Sequence, residues 1–385
     1  MQGQITSTHD ILILGGGPSG LSTALHLIKI APHLTSRILI LEKEHYPRHK
    51  LCAGALVLDA EIILERLGLD VREVPHVDAQ RLHFDFAGSG LTVRRPGTHS
   101  LRIIRRNEFD HWLAQKTQER GVEIRQGITI KNVIPYESGV TVITDQGDFH
   151  ATIVVGADGS NGVTRRSILP NESVQTARVI EIITPTVENK HPQDHAYFDF
   201  FAVPQNIAGY TWDFPTIIDQ QAMRCWGIYD TNVLADQKRP ALKEPLHDEM
   251  QRHGLNLADY EVKGHPIRWY TPWNTASIPR VILVGDAVGA DPVLGEGISI
   301  ALGYGFIAAQ EIAESFQRGE FSFRRYKRRL GWSALGQSLF ARWLITYIIY
   351  PLKWKWFQIL TWRICSLLVL FIGWVFVINW SKRLK

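Results

Sequence analysis

The stretch ILILGGGPSG at residues 11–20 decides the fold of this 385-residue chain. Its first four residues form an uninterrupted apolar run, which is typical of a buried parallel strand. A glycine-rich turn follows at once, and residues 21–31 then have the composition of a helix. A second β-like run covers residues 37–41. The segment therefore predicts a strand, helix, strand unit with a right-handed crossover.

Three glycines, Gly15, Gly17 and Gly20, have the G-x-G-x-x-G spacing of a dinucleotide-binding turn. Glycine permits a tight turn and lets the backbone approach a pyrophosphate, which lies at the N-terminus of the following helix. Glu42 follows the second strand, 22 residues after Gly20, where a carboxylate can accept hydrogen bonds from an adenosine ribose. Because an acid here disfavours a 2′-phosphate, the sequence favours FAD or NAD over NADP.

Two later motifs favour FAD. Residues 156–166 are GADGSNGVTRR, and residues 284–299 are VGDAVGADPVLGEGIS. Each follows an apolar run typical of a buried strand, and a simple dehydrogenase has no role for either motif. Between them, residues 166–279 contain aromatic-rich extended segments broken by proline and glycine, which predicts an antiparallel sheet.

We therefore predict an α/β fold with two interleaved lobes. A Rossmann-like FAD-binding lobe is expected to comprise residues 1–66, 106–165 and 280–317. An antiparallel-sheet substrate lobe is expected to comprise residues 67–105 and 166–279. Residues 318–385 are expected to form a helical C-terminal tail.

Charge is distributed unevenly along the chain. Residues 318–385 hold thirteen Lys and Arg, a single acid and seven of the twelve tryptophans, whereas residues 1–317 hold 29 basic and 37 acidic side chains. An acidic body with a basic, aromatic tail indicates contact with a membrane surface and no nucleic acid partner. The three cysteines are far apart in sequence, which disfavours disulfides and favours a reducing compartment.

The tail has two features that suit a membrane. Five basic residues lie within 324–329, and each can contribute about 1 kcal/mol near anionic headgroups. Residues 364–381 are uncharged, and as a helix they would span about 27 Å against a bilayer core of about 30 Å. Three arrangements stay open for this tail: a helix that crosses the membrane, a tilted or re-entrant helix against the body, and a buried helix pair. We expect a membrane-associated protein with its catalytic body on the cytoplasmic side.

The motifs resemble those of FAD-dependent oxidoreductases with the p-hydroxybenzoate hydroxylase fold. The resemblance implies that the Asp-Gly pair of the second motif lies near the FAD pyrophosphate, and that the Gly-Asp pair of the third holds the ribityl chain. It also implies that the end of the third motif begins a helix beside the isoalloxazine, where amides support negative charge on the reduced flavin. The cofactor residues implied in this way are Arg106, Asp158, Gly159, Gly285, Asp286, Gly295, Gly297 and Ile298.

Two further segments resemble the geranylgeranyl reductases, which saturate isolated double bonds of polyprenyl chains. Residues 47–56, PRHKLCAGAL, are similar to that family's Pro-Arg-x-Lys-x-Cys-Gly-Gly loop, with Ala53 in place of a glycine. Residues 209–215, GYTWDFP, are similar to its Tyr-x-Trp-x-Phe-Pro segment. The likeness covers residues 9–317. It implies a prenyl lipid substrate, a flavin contact for Lys50, and NAD(P)H or a small electron carrier as donor.

The residue types suit this chemistry. An unactivated alkene accepts hydride only if a proton arrives with it, so an acid must face the double bond. Cys52 or an ordered water is the candidate, although Cys52 could instead be a small buried hydrophobe. Tyr210, Trp212 and Phe214 alternate along a predicted strand and therefore share one face, either as a substrate wall or as core packing.

Two other functions stay open. An FAD-dependent monooxygenase or halogenase could have the same fold, although residues 47–56 lack the Gly-Glu-Ser of halogenases. A non-catalytic prenyl-binding escort protein is a third hypothesis, but it would not need the full set of FAD contacts. His45, His49 and Cys52 have metal-like spacing with no fourth ligand nearby, so we predict no metal site.

Overall fold

A computed structural model describes residues 5–187, 191–234 and 240–384. Its strands are β1 (Ile5–Leu14), β2 (Ile38–Leu41), β3 (Ala55–Leu56), β4 (His76–Ala79), β5 (Arg81–Asp85), β6 (Gly90–Arg94), β7 (Leu101–Ile104), β8 (Glu123–Arg125), β9 (Ile130–Tyr136), β10 (Gly139–Thr144), β11 (Gly147–Gly156), β12 (Thr176–Pro185), β13 (His195–Asp199), β14 (Gly209–Ile218), β15 (Gln221–Asp230), β16 (Lys263–Arg268), β17 (Ser277–Ile278) and β18 (Val281–Leu283). Its α-helices are α1 (Pro18–Ile30), α2 (Leu58–Arg66), α3 (Arg106–Glu119), α4 (Val163–Ile168), α5 (Lys243–Arg252), α6 (Ile298–Arg318), α7 (Tyr326–Trp332), α8 (Ala334–Ile349), α9 (Lys355–Ile359) and α10 (Ser366–Ile372).

The first sheet is mainly parallel and has the strand order β17-β18-β11-β1-β2-β8, extended by the β9-β10 hairpin beside β11. Leu14 at the end of β1 pairs with Gly156 on one side and Leu41 on the other. Residues 11–14 are completely buried, as expected for a strand covered on both faces. The predicted strand, helix, strand unit is confirmed, and the carboxyl ends of β1, β2 and β11 meet at one edge.

The second sheet is mainly antiparallel and has the order β16-β12-β15-β14-β13-β5-β6. Its strands come from residues 81–94, 176–230 and 263–268, between segments of the first sheet. The predicted α/β fold with an interleaved antiparallel sheet is therefore confirmed. One pair departs from the antiparallel pattern, since β13 runs parallel to β5. A small sheet of β3, β7 and β4 is separate from both. The domain boundaries given above stay a prediction.

Helix α1 begins at Pro18 rather than Leu21, because the fixed φ of proline suits the first position of a helix. Helix α6 begins at Ile298, at the end of the third motif, with Gly297 as its N-cap residue. α6 ends before Gly319, whose φ of 67° forms the left-handed C-terminal turn that glycine favours.

The tail packs on the body. Tyr350 is 1 % exposed, Trp362 6 % and Trp380 0 %. The continuous helix considered for residues 364–381 is not formed, because α10 is followed by a π-helical turn, Gly373–Val377, and the backbone becomes extended at Ile378. Asn379 then adopts a left-handed φ of 63°, which asparagine tolerates better than most residues.

Candidate active site

The glycine turn requires glycine at two positions. Gly15 has a φ of +114°, and a Cβ there would lie 2.5 Å from the carbonyl oxygen of Ala157. A Cβ on Gly20 would lie 2.1 Å from the Gly15 carbonyl oxygen. Gly17 is the N-cap residue of α1, whose first turn has no acidic side chain. The amides at this helix end can therefore bind a phosphate group.

Glu42 lies directly after β2 and is 4 % exposed. One carboxylate oxygen accepts a hydrogen bond from the Gly16 amide at 2.8 Å, and the other accepts one from the Glu44 amide at 3.0 Å. The Tyr46 hydroxyl donates to the Gly16 carbonyl oxygen. The carboxylate is thereby fixed beside the glycine turn, at the edge where α/β sheets bind dinucleotides. Its contact with a ribose stays a prediction.

Asp158 organises its own loop. Its Oδ2 accepts hydrogen bonds from the amide of Thr164 at 2.7 Å and from the Thr164 hydroxyl at 2.9 Å. Burial raises the pKa of Asp158, and the Thr164 bonds oppose that rise. Gly159 has a φ of +81° and open space where a side chain would be. The other carboxylate oxygen of Asp158, Oδ1, is buried and makes no hydrogen bond with any described residue, and a cofactor contact from this pair stays a prediction.

The third motif meets the first two. Gly285 has a φ of +60°, and a Cβ there would lie 2.6 Å from the Ser19 hydroxyl of α1. The Ser160 hydroxyl donates to the Asp286 carboxylate at 3.4 Å. Residues from three distant parts of the sequence therefore surround one edge of the parallel sheet.

Two arginines that are largely shielded from solvent share one carboxylate next to this edge. Arg106 donates two hydrogen bonds to Asp110, at 2.7 and 2.8 Å, and Arg48 contacts the same carboxylate at 2.9 Å. Burial lowers the pKa of Arg106, but Asp110 outweighs it and raises that pKa above its ordinary value. The sequence singled out Arg106 alone. Arg48 and Asp110 were missed, although Arg48 lies within the quoted loop and Asp110 is four residues after Arg106.

Two arginines, Arg48 and the buried Arg268, have donors that make no hydrogen bond and fit a phosphate-bearing cofactor. Arg48 reaches to within 3.5 Å of the Cβ position of Gly17, and its Nε lies 3.8 Å from the Glu42 carboxylate but makes no hydrogen bond with any described residue. Arg268 donates to the Ser160 carbonyl at 3.1 Å, but its Nε and Nη1 also lack partners among the described residues. Burial, with Arg165 next, lowers the pKa of Arg268 to about 10. Buried cationic donors of this kind are costly unless an anion binds them, so the site fits the pyrophosphate of FAD.

The loop at residues 50–54 faces the same region. Lys50 Nζ lies 3.0 Å from His265 Nε2, and burial lowers the pKa of Lys50 while Asp286 opposes that shift. Gly54 has a φ of +77°, and a Cβ there would lie 1.9 Å from the Ile104 carbonyl oxygen. Ala53 keeps a negative φ. Glycine is therefore required at position 54 of this loop, whereas alanine at position 53 does not disturb the loop.

Cys52 is linked to both lobes. Its thiol lies close to the Arg106 guanidinium, and its backbone amide lies close to the Glu181 carboxylate on β12. Glu181 is 6 % exposed, and burial raises its pKa to about 7. Glu181 is not among the residues predicted from the sequence. A usable signal existed, because Glu181 continues the buried alternation of Ala177 and Val179 along β12.

The aromatic stripe lies on β14, as predicted. Tyr210, Trp212 and Phe214 are 5, 5 and 3 % exposed. Gly227 on β15 makes room for the Trp212 ring, since a Cβ there would lie 2.1 Å from it. The stripe belongs to an apolar cluster that also contains Tyr350 and Trp362 of the tail. The tail thus packs in the same cluster as these three residues. Their role in binding substrate stays a prediction.

The start of α6 is tied to the tail by a buried ion pair. Gly295 has a φ of +65° and packs against the Tyr229 ring. Glu296 accepts hydrogen bonds from the Ser299 amide and hydroxyl, both at 2.8 Å. Arg342 of α8 contacts Asp291 at 2.6 Å and Glu296 at 3.4 Å. The segment that we predict beside the flavin is therefore held by a tail side chain.

Two relatives cover most of this chain. A digeranylgeranylglycerophospholipid reductase from Thermoplasma acidophilum is 25 % identical over 82 % of this chain and 80 % of its own length. An uncharacterized protein from Methanosarcina barkeri is 28 % identical over 83 % of this chain and 79 % of its own length.

Solved structures show the same fold. A geranylgeranyl bacteriochlorophyll reductase-like protein from Thermoplasma acidophilum superposes with a TM-score of 0.76 at 19 % identity, covering 98 % of both chains. Flavin-dependent halogenases also share the fold, so the fold alone does not select a reaction. Residues 8–327 match the family described as FAD binding domain. The chain therefore belongs to this FAD-binding family, and its cofactor is FAD.

Proposed function

We propose that the protein is an FAD-dependent reductase that saturates isolated C=C bonds of a prenyl lipid, with NAD(P)H or a small electron carrier as electron donor. One observation carries the proposal: the loop that holds Cys52 joins the two lobes, since Lys50 of this loop lies 3.0 Å from His265 of the antiparallel sheet and Cys52 lies close to Arg106 of the FAD-binding lobe. The proton donor that we propose, Cys52, is therefore near both lobes. The similarity to a digeranylgeranylglycerophospholipid reductase supports the same substrate class.

The reaction adds one hydride and one proton across the double bond. Bound FAD in its reduced form supplies the hydride. The protein must deliver the proton to the other alkene carbon, and Cys52 is placed to donate it directly or through a water molecule. Glu181 beside it has a pKa raised by burial to about 7, so it holds a proton near neutral pH and can restore that of Cys52.

The remaining residues position the substrate and exclude water. Tyr210, Trp212 and Phe214 are the apolar residues proposed to border the prenyl chain, and in this structure other side chains of their cluster cover them almost completely. The Tyr210 hydroxyl donates to the Leu294 carbonyl, which fixes the start of this face against the loop before α6. An apolar, water-poor wall suits an alkene, which offers no polar group to bind.

Lipid mass spectrometry tests the proposal. Cells that make geranylgeranyl lipids should show two-dalton increases per saturated bond when they express the wild-type protein. Purified protein with chemically reduced FAD should give the same products without oxygen. Products that require oxygen and gain an oxygen or halogen atom would instead identify a monooxygenase or halogenase and overturn the reductase proposal.

A further inference from the structure

The segment between Trp362 and Trp380 is fixed to the body at both ends. At the first end, Trp362 stacks on Phe200 with ring centroids 3.9 Å apart, and Arg363 donates to the Phe86 carbonyl at 2.6 Å. At the second end, the amides of residues 379 and 381 donate to the buried Asp59 carboxylate at 2.9 and 2.8 Å. Because both ends of the segment are bound to the same body, the chain leaves the body at Trp362 and returns to that body at Trp380.

The outer face of this segment is apolar and exposed. Ile364, Leu367, Leu368, Phe371 and Trp374 are 70, 78, 57, 62 and 51 % exposed, respectively. Their spacing of three and four residues places them on one helix face. The span Ser366–Arg383 is apolar enough to cross a membrane, with a mean hydropathy of 1.3, yet only 11 % of it is buried inside the protein. A helix of the protein core would instead be mostly buried.

Helix α8 carries a second exposed apolar stripe. Phe340, Leu344, Tyr347 and Ile348 are between 44 and 52 % exposed, while the opposite face of α8 packs on the body. α8 lies beside the π-helical turn Gly373–Val377, because Ser338 and Arg342 both donate to the Val377 carbonyl. The two stripes therefore belong to adjacent elements. Of the 19 large hydrophobic side chains that are exposed in the described residues, 14 lie between 332 and 376.

The charged side chains of the tail beyond Glu320 are all basic. The sequence has no Asp or Glu after Glu320. Arg324, Arg325 and Arg328 are exposed, whereas Arg329 of the predicted basic cluster is paired with Glu311 and Glu314 of α6. Two copies of so basic a surface would repel each other, but anionic lipid headgroups would attract it.

Aromatic residues complete the surface. Trp354 and Trp356 are 58 and 61 % exposed and stack on each other, with the basic Lys355 between them in sequence. Tryptophan next to basic residues is the composition found at the boundary between lipid tails and headgroups.

We propose that the two apolar stripes of residues 340–348 and 364–376 form an in-plane docking surface for an anionic lipid bilayer, with no segment crossing it. α10 and the π-helical turn comprise residues 366–377, about 18 Å as a helix, which is too short for a core of about 30 Å. Helices with one exposed apolar face and basic flanks lie in the plane of the membrane interface. Anionic lipid is typical of the cytoplasmic leaflet, so the body lies on the cytoplasmic side.

The docking surface is continuous with the predicted substrate wall. Trp362 and Val369 of the docking segment pack in the same apolar cluster as Tyr210, Trp212 and Phe214. A prenyl chain could therefore pass from the bilayer to the wall along apolar side chains. This last step rests on the proposed reductase function, whereas binding to the bilayer does not.

Vesicle co-sedimentation tests the docking surface. Wild-type protein with FAD bound should sediment with vesicles of phosphatidylglycerol and phosphatidylcholine, and more weakly with phosphatidylcholine alone. The double variant Leu367→Gln/Phe371→Gln should bind the anionic vesicles at least about tenfold more weakly, because two large apolar side chains no longer enter the lipid. The matched control Ile134→Gln/Val174→Gln changes exposed apolar residues of the body, 44 and 41 % exposed, and should bind as wild type does.

Three results would overturn the docking proposal. Wild-type protein could fail to bind, or the two double variants could bind equally. Gel filtration could also show a wild-type dimer that Leu367→Gln/Phe371→Gln converts to a monomer, in which case a second copy covers the surface. Turnover of detergent-solubilised lipid should be unchanged in Leu367→Gln/Phe371→Gln. If the wild-type protein turns over lipid but does not bind vesicles, only the docking proposal is contradicted. If it binds vesicles but shows no turnover, only the reductase proposal is contradicted.

Cysteine labelling distinguishes in-plane docking from a crossing helix. Lys355→Cys and Lys382→Cys place exposed thiols on either side of the segment. In sealed membrane vesicles of one orientation, a membrane-impermeant maleimide should label both positions from the same side. Labelling from opposite sides would show that the segment crosses the bilayer.

Discussion

Replacing Arg342 by methionine should destabilise the whole body, although Arg342 lies in the tail. Its guanidinium is 2 % exposed and contacts Asp291 at 2.6 Å and Glu296 at 3.4 Å. It also donates to the Val377 carbonyl at 2.8 Å. Methionine keeps much of the apolar stem but leaves two buried carboxylates without their cation.

The expected magnitude follows from the burial of the pair. Removing one partner of a buried ion pair costs about 3–5 kcal/mol, since the remaining charge is left without compensation. The amides of Val293 and Leu294 still donate to Asp291, at 2.7 and 3.2 Å, which favours the lower end of that range. With an unfolding entropy of about 2.1 cal/mol/K per residue, this loss lowers the Tm by about 4 °C.

Thermal unfolding at saturating FAD measures this shift. Arg324→Met is the matched control, because Arg324 is exposed, and its Tm should stay within about 1 °C of wild type. The triple variant Arg342→Met/Asp291→Asn/Glu296→Gln should recover part of the loss, since neutral amides cost less when buried than unpaired carboxylates. Equal Tm values for Arg342→Met and Arg324→Met would refute the reasoning that the tail is energetically part of the body.

Three further predictions concern the site itself. Cys52→Ala should retain FAD and its reduction but slow product formation, and equal turnover would assign Cys52 a purely structural role. Wild-type product formation should fall as pH rises through about 7, because Glu181 loses its proton there, and Glu181→Gln should lack this dependence. The raised pKa also affects folding: the stability contributed by neutral Glu181 is fully present below its ordinary pKa and is lost as pH rises through about 7. Gly20→Ala should abolish FAD binding, measured by flavin absorbance after gel filtration, because its Cβ would lie 2.1 Å from a carbonyl oxygen; Gly331→Ala, with open space around it, should bind FAD normally.

The cofactor edge could be predicted from the sequence because its determinants are local. Each motif directly follows its own apolar strand, and Glu42 directly follows the second strand of the first unit. A tight turn leaves no room for a side chain, so Gly15 and Gly20 show their role in the residue type itself. The alternation of Tyr210, Trp212 and Phe214 likewise follows from the period of a strand.

The contacts that join distant segments could not be predicted in the same way. Arg342 looks like any other basic residue of the tail, and only the fold brings it 2.6 Å from Asp291. Asp59 opens α2 in sequence, yet its carboxylate binds backbone amides more than 300 residues later. A buried charge reveals its role only with its partner, and no local pattern identifies that partner.

The tail therefore has two faces with different physical roles, and this determines how it can be tested. Its inner face covers the aromatic cluster of the substrate lobe and supplies the partners of Asp59 and Asp291. Its outer face exposes apolar side chains that no described residue covers. Deleting the tail would remove both faces at once, uncover buried aromatic surface and leave carboxylates unpaired. Loss of membrane binding in such a truncation would then be indistinguishable from unfolding. Substitutions confined to the outer face, such as Leu367→Gln/Phe371→Gln, change the lipid contact while keeping the inner contacts, so they alone can separate docking from folding.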